Sequence, residues 1–386
     1  MIIRFLDKIT DIKSTQWEQL FNTHYPFTRY EFLAALESSQ CVTTKTGWRA
    51  HHALVFEAET LIAAVPLYLK THSYGEYVFD WSWANAYQQH GLAYYPKLVC
   101  AIPFTPSTGP RLAFSSSVTA EQEELIIRSL TTTIQERLTT LNGSSAHLLF
   151  PHENLSEQFS SQHWIRRLGI QYHWHNHNYQ SFDDFLSQLK SRKRKMILKE
   201  REFVKQQGIT LSTLEREQIS DQLIRRFYSY YQQTYLKRNG SEGYLNLDFF
   251  HTVQHELAEQ LVMVVAKKDD AVIAIALCFK DDEHLYGRYW GCHQEYDFLH
   301  FETCYYQGIE YCIRHGLKKF DAGAQGEHKL ARGFTAQKTF SNHLILNEDF
   351  NHAIENFTRV EEKELERYLK KANAGSPFKT TAIFDD

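Results

Sequence analysis

The sequence predicts an α+β protein built as two tandem domains, each around a mixed sheet, over residues 1–175 and 176–386. Three observations carry this. The chain has 386 residues, enough for two separate cores. One pattern occurs twice, LIAAVPLYLKTHSYGEY at 61–77 and VIAIALCFKDDEHLYGRY at 272–289. Each copy is an apolar run after an acidic turn and ends in Tyr-Gly-x-Tyr (Tyr74, Gly75, Tyr77 and Tyr286, Gly287, Tyr289). The copies lie too far apart for a solenoid and fit a repeated domain. The second half also reads as helices, then a three-strand antiparallel meander, then a helix and a strand, the order of an α+β unit.

The elements follow from local patterns. Residues 1–25 read as a strand and a short helix ending near Pro26. Residues 27–38 form a helix that buries Phe32, Leu33 and Leu36. Residues 51–56 and 61–70 make a hairpin, and 74–83 a further strand. Residues 94–99 lead into a loop rich in Pro, Thr and Gly, PFTPSTGPRL. An amphipathic helix over 121–141 places Leu125, Ile126, Leu130, Ile134 and Leu138 on one side. Residues 146–150 are a short buried strand. The polar, His-rich stretch 151–180 holds the domain boundary. One long helix is predicted over 182–207, capped by Ser181 with Asp183 and Asp184 at its positive end. A second covers 217–239. Strands at 261–267, 271–280 and 284–292 are joined by tight turns, KKDDA and KDDEH. A helix at 301–315 buries Phe301, Cys304, Tyr305, Gly308, Ile309 and Cys312. A strand at 317–320 and a charged helix from Asp349 complete the chain.

Composition narrows the function. The net charge of −4 gives no global basic field for nucleic acid. The six cysteines form no CxxC, which argues against a zinc ribbon or a disulfide framework and fits a reducing compartment. The first twenty residues carry early charges and no long apolar stretch, so no signal peptide is predicted, and no run is long enough to span a bilayer. The expectation is a cytoplasmic protein. Aromatic residues reach 14%, mostly Tyr and Phe, and read chiefly as core and interface rings.

Two segments carry candidate chemistry. The first runs from Tyr286 to Phe334. Its strand brings Arg288 and Trp290 to one face. Its helix carries Glu302, Tyr306 and Glu310 as a polar stripe, with His300 just before. Its glycine-rich loop gathers Gln325, Gly326, Glu327, His328, Lys329 and Arg332, and polar loops at strand ends are common active-site positions. The second is LKSRKRKMILKEREFVKQQG, with eight cations between Lys190 and Lys205, Arg194 and Lys195 among them. It is either a solvated face or a clamp for a phosphorylated partner. In the first half, Lys70, His72, Tyr74, Asp80, Trp81, Trp83, Tyr94, Tyr95, Lys97, Thr105 and Arg111 form a polar and aromatic set. Structural packing is an equal reading for Trp81 and Trp83, and Arg111 is the better anion binder. His173, His175 and His177 alternate along one strand face, a spacing open to a metal. No acidic or thiol partner accompanies them, so no metal is expected. No nucleophile elbow is present, which disfavours a covalent hydrolase.

KSRKRKMILKEREFVKQQGI resembles the stretch that opens the second domain of Fem-type peptidoglycan aminoacyltransferases. DAGAQGEHKLARGF is similar to their closing motif, with Asp321, Gly323, Gly326, Lys329, Gly333 and Phe334 in order. The runs YLKTHSYGEYVFDW, YYPKL, PFTPSTGPRL, GRYWGC and HFETCYYQGI resemble the Fem-like group of predicted N-acyltransferases over nearly the whole chain. The resemblance implies two tandem GNAT-like acyl-CoA N-acyltransferase domains, with the active site in the C-terminal one. It implies transfer of an acyl or aminoacyl group, from a CoA thioester or a charged tRNA, to an amine of a cell-wall precursor or peptide. The GNAT acetyl-CoA signature, (Q/R)-x-x-G-x-(G/A), is absent in clear form from both halves, which leaves the donor open.

On that implication Glu302, Glu327 and His328 are candidate bases, and Tyr306 or Tyr289 returns a proton to the leaving group. The strand over 272–279 offers backbone N–H groups to the acyl oxygen. Lys329 stabilises charge. Arg194, Lys195, Arg288, Gln325, Gly326 and Arg332 hold the donor. Tyr74, Asp80, Trp83, Lys97, Arg111, Trp290 and His300 contact the acceptor. The alternative is a non-catalytic FemAB-like module that recognises a peptidoglycan-type fragment or a protein partner.

Overall fold

Apolar runs separated by turn residues give the chain its strands, and the strands fall into two groups. The computed structural model describes residues 1–324 and 326–379. The chain divides into two compact units. One comprises Met1–Ile170 with Lys338–Arg367, the other Gln171–Gln337 with Tyr368–Asp386, so the division is not a single cut. Both are mixed α+β, as the sequence predicts.

In the first unit, Ile2–Leu6, His52–Glu57, Thr60–Val65 and Ala113–Phe114 form an antiparallel sheet. A second set runs Trp48–Ala50, Leu67–Lys70, Lys97–Cys100 and Ser145–Leu149, followed by residues 338–345. Lys97–Cys100 and Ser145–Leu149 pair in parallel, and the other pairs of this set are antiparallel. Helix Ala120–Thr140 covers the core. Thr119 and Gln122 form a reciprocal capping box at its start, which satisfies two otherwise unpaired N–H donors. Ile126, Ile127, Leu130, Ile134 and Leu138 are buried. Leu125, expected with them, is 53% exposed, and Ile127 takes the inward place.

The second unit centres on the predicted meander. Leu261–Lys268, Ala271–Lys280 and His284–Cys292 pair antiparallel, with Ile209–Glu215 on the outer edge. Asp269 and Asp270 both have positive φ between the paired residues Lys268 and Ala271, the conformation of a two-residue hairpin turn that matches strand twist. Lys319–Asp321 then pairs parallel to His284–Cys292 and antiparallel to residues 173–175. The helix Asp221–Asn239 lies directly on this sheet at Gly291. A Cβ there would sit 2.4 Å from the Tyr230 backbone, so only glycine allows the approach.

Several elements differ from expectation. Tyr74–Trp83 is not a strand but a loop leading into helix Trp81–Gln89. Gly75 and Tyr77 have positive φ, and Ser73, Glu76 and Asp80 turn inward toward Lys97. The two Tyr-Gly-x-Tyr motifs are therefore not equivalent, since the second lies within a strand. The helix over 182–207 breaks into Phe182–Gln188 and Ser191–Gln206, with Leu189 bridged to Phe378. The polar stretch 151–180, where the domain boundary was expected, holds helix Glu153–Ser160 and strand Ile165–His175. Helix Leu247–Glu256 and strand Thr335–Ile345 lacked a clear period in the sequence.

Candidate active site

The second unit contains a forked strand pair. His284–Cys292 and Lys319–Asp321 run in parallel register from His284↔Lys319 to Tyr286↔Asp321, where the shorter strand stops. The longer strand continues. Its register against Ala271–Lys280 slips between Leu277 and Cys278, leaving Arg288 as the extra residue of a bulge. Bulges re-aim side chains and are frequent beside active sites.

Arg288 closes the fork. Its Nη2 donates to Asp321 Oδ2 at 2.6 Å, and both side chains are 2% exposed. The other Asp321 oxygen accepts from the Gly323 N–H at 3.0 Å. Burial alone would raise the Asp321 carboxyl, but the Arg288 guanidinium, with the Gly323 N–H, outweighs it and holds it well below the usual carboxylate range. Burial pushes His173 down to about 3, so this imidazole is neutral. Lys329 donates to the Gly323 carbonyl at 2.6 Å. Burial and the nearby Arg288 push its ammonium down to about 8, against the pull of Asp321.

Two arginine–glutamate clamps stand beside the fork. Arg332 donates to both oxygens of Glu200, at 2.7 and 3.2 Å, and lies over the Phe301 ring at 3.5 Å. Tyr306 donates to the same Glu200, and burial lifts its phenol above the usual range. Arg201 donates to Glu302 at 3.0 and 3.1 Å and to Glu310 at 3.0 and 3.2 Å. Glu302–Tyr306 is a π-helical turn, a rare form that occurs often at functional sites. The basic helix Ser191–Gln206 is thus more than a solvated face: two adjacent inner residues, Glu200 and Arg201, fix the π turn from opposite charges.

A cavity of about 660 Å³ opens where the long strand ends. Helix Asp221–Asn239 contributes Lys237 and Arg238, the strand end Trp290, and the following turn Phe298, His300 and Phe301. Lys237 is paired with Glu295 at 2.5 Å, whereas Arg238 makes no ion pair among the described residues. His300 sits among rings, with centroids 5.3 Å from Trp290, 5.8 Å from Phe301 and 5.3 Å from Tyr305. Burial, aided by Arg238, His328, Lys329 and Arg332, pushes it down to about 3. It is neutral across the physiological range.

The structure brings Trp290 and His300 together at the cavity, and places Arg288, Lys329, Arg332, Glu302 and Tyr306 in the network beside it. Glu302 is saturated by Arg201. Glu327 is exposed and accepts from Tyr368 at 2.8 Å. His328 bonds to the Tyr305 hydroxyl at 2.9 Å. Gly326 has φ of 119° and would meet the His328 ring if it carried a Cβ. Arg194 is half-buried and Lys195 exposed on the basic helix, and neither contributes to the cavity lining. Gln325 lies outside the described residues.

The first-unit set is largely interior. Lys97 is fully buried, bonded to Glu76 at 2.8 Å, Ser73 at 2.9 Å and Asp80. Arg111 is fully buried and donates to the carbonyls of Leu149, Pro110 and Ser107, so its guanidinium clamps backbone rather than facing a ligand. Trp83 is buried against His343. Of this set Tyr74 and Trp81 are exposed, at 56% and 38%. The sequence reading missed Glu200, Arg201, Lys237, Arg238 and Tyr305. Their signal was the alternation of acid and base in KEREF, and the cations near the end of a Tyr-rich helix.

A sequence profile of the FemAB-like family, described as peptidoglycan biosynthesis/recognition, matches residues 8–380. The chain belongs to this family. The crystal structure of FemX is similar to this FemAB-like chain over 92% of its length and all of FemX, with 12% identity and a TM-score of 0.53. The structure of L-PGS from Bacillus licheniformis covers 87% of the chain, and the chain covers 97% of it, at 10% identity and a TM-score of 0.50. A tandem GNAT protein from the clavulanic acid biosynthesis pathway aligns over 90% of the chain and 99% of its own length, at 9% identity and a TM-score of 0.47. At these identities the likeness is one of fold alone. No curated protein matches the FemAB-like sequence. Among the described residues, no helix is long and apolar enough to cross a membrane, and no cluster of metal-ligating residues occurs.

Proposed function

We propose that the second-unit cavity is the donor site of an N-acyl transfer. An acyl or aminoacyl group leaves a CoA thioester or a charged tRNA for the amine of a cell-wall precursor or peptide. The observation that carries this reading is the fork. One strand of a parallel pair stops at Asp321, while its partner bulges at Arg288 and runs on to the mouth of the cavity. Ligands of open α/β sheets bind in such crevices beyond the carboxyl ends of strands. Arg238 gives the wall a cation for a phosphate of the donor, and Trp290, Phe298 and Phe301 give rings for its apolar or aromatic part. Lys329, buried behind the cavity wall beside the Tyr305 ring, is the cation this reading assigns to developing negative charge. Both proposed donors are cytoplasmic, and a cytoplasmic location for the protein is part of this proposal. Tyr74 and Trp81 are the exposed members of the first-unit set for an acceptor to touch.

A non-catalytic recognition module is the second reading. It is favoured by the closure of the interior cations: Arg288, Arg332 and Arg201 are each held by a carboxylate. A thermal-shift series with acetyl-CoA, longer acyl-CoAs, charged tRNA and nucleotide-linked cell-wall precursors separates the two. A donor raises the melting temperature if the transferase reading holds. Stabilisation by acceptor fragments alone, with no acylated product by mass spectrometry, supports the module and overturns the transferase.

A further inference from the structure

An amine attacks an acyl carbon only when its lone pair is free, and the tetrahedral adduct must then lose a proton. The residues expected to take that proton are closed. Glu302 is held at both oxygens by Arg201. Glu327 is exposed and bound to Tyr368. His328 is tied to Tyr305 and lies outside the cavity lining. Of the imidazoles and carboxylates that do line the cavity, Glu295 is paired with Lys237, and His293 and Asp297 are exposed at the rim. His300 remains. It reaches the cavity wall from the turn that opens the π-helical segment, and three aromatic rings pack edge-on around it.

We propose that His300 is the general base of the transfer, a role that rests on the acyl-transfer reading of the same cavity. The amine nitrogen forms a bond to the acyl carbon, and the carbonyl pair moves onto oxygen. A ring nitrogen of His300 takes one N–H proton from the adduct. The oxyanion pair returns, the bond to the thioester sulfur or ester oxygen breaks, and the imidazolium gives its proton to that leaving group. No other reactant is consumed. The surrounding rings fix the orientation of the imidazole, so the base is held toward the cavity where the amine must enter.

The charges facing His300 make its basicity depend on the donor. Arg238 approaches from the helix Asp221–Asn239, and His328, Lys329 and Arg332 from the segment after Asp321; all four disfavour the imidazolium, on top of burial. A phosphate-bearing donor held by Arg238, the one of the four that lines the cavity, offsets part of this charge and helps the ring accept a proton. The base is weak in the empty cavity and strengthens when the donor arrives, which limits proton uptake to the loaded enzyme.

The test uses the full chain with acetyl-CoA and bulk charged tRNA as donors, and glycinamide or hydroxylamine as acceptor. Hydroxylamine is unprotonated at neutral pH and depends least on a base. His300→Gln is expected to lower the rate of transfer to glycinamide about 100-fold or more, the usual scale of a lost general base. KM for the donor and the melting temperature are expected to stay near wild type, and transfer to hydroxylamine to fall far less. In His300→Ala, added imidazole is expected to restore transfer to glycinamide. Equal loss with both acceptors, or transfer to glycinamide within about threefold of wild type, overturns the assignment of His300 alone. Absence of product from either donor with the wild-type chain overturns the acyl-transfer reading, and the base with it.

Discussion

Replacing Arg288 by alanine removes the cation that neutralises Asp321 inside the fork. Both side chains are 2% exposed and joined at 2.6 Å, so the variant leaves a carboxylate in the interior with the Gly323 N–H at 3.0 Å and His173 at 3.9 Å. Removing one partner of a buried pair typically costs about 3–5 kcal/mol, most of it from the stranded charge. For a unit of this size, each kcal/mol corresponds to roughly 2–4 °C, so the melting temperature of the second unit is expected to fall by roughly 6–20 °C. The destabilisation also depends on pH. Asp321 is depressed in the folded chain, so its contribution is present above the unfolded carboxylate value and is lost progressively as pH falls from there through the lower folded value. In the variant burial raises the Asp321 carboxyl, so the deficit begins to shrink as pH falls through that raised value, above the ordinary value of about 4. Equilibrium urea unfolding of wild type, Arg288→Ala, Asp321→Asn and the double variant closes a double-mutant cycle. A coupling of several kcal/mol is expected. Loss of less than about 1 kcal/mol in Arg288→Ala at pH 7 would refute the buried-pair argument and return Arg288 to ligand binding.

Other positions give separate outcomes. Gly291→Ala would drive a methyl into the Tyr230 backbone, and the helix must shift. A stability loss of about 1–3 kcal/mol or more, with looser ring packing at the cavity by near-UV circular dichroism, is expected. Lys97→Met strands Glu76 and Asp80 in the first unit, and a loss of about 3–5 kcal/mol is expected by urea titration. Acid should weaken the whole chain early. His147, His173 and His300 are neutral in the fold, pushed down to about 3, whereas the unfolded chain protonates them near pH 6.5. Stability is therefore expected to fall as pH drops below about 6.5, by up to about 1.4 kcal/mol per pH unit for each group, measured by melting temperature in citrate–phosphate buffers. A flat profile from pH 7 to 5 would contradict the buried neutral imidazoles.

Much of the second unit was legible because local signals agreed. Apolar runs and the KKDDA turn placed the meander to within a residue or two, and the helix and strand after it were expected in a mixed sheet. The site was only partly legible. His300, Trp290, Arg288 and Lys329 stood out by type, but their roles depend on partners distant in sequence. Arg332 and Arg201 read as free cations until Glu200 and Glu302 meet them. Arg111 read as an anion binder because sequence cannot show carbonyls of a folded loop converging on a guanidinium. The repeated Tyr-Gly-x-Tyr misled at its first copy, where Glu76 and Asp80 turn in to Lys97 and pull the backbone out of the strand conformation. The helix break at Leu189 has no local breaker, since it is set by the bridge to Phe378.

The central claim is that the cavity at the end of the forked strand receives the acyl donor. Hydrogen–deuterium exchange of the full chain, with and without acetyl-CoA or charged tRNA, tests it most directly. Protection concentrated in residues 233–238 and 290–301 is the expected result for whichever donor binds. A donor that binds while leaving both segments unprotected would contradict the account.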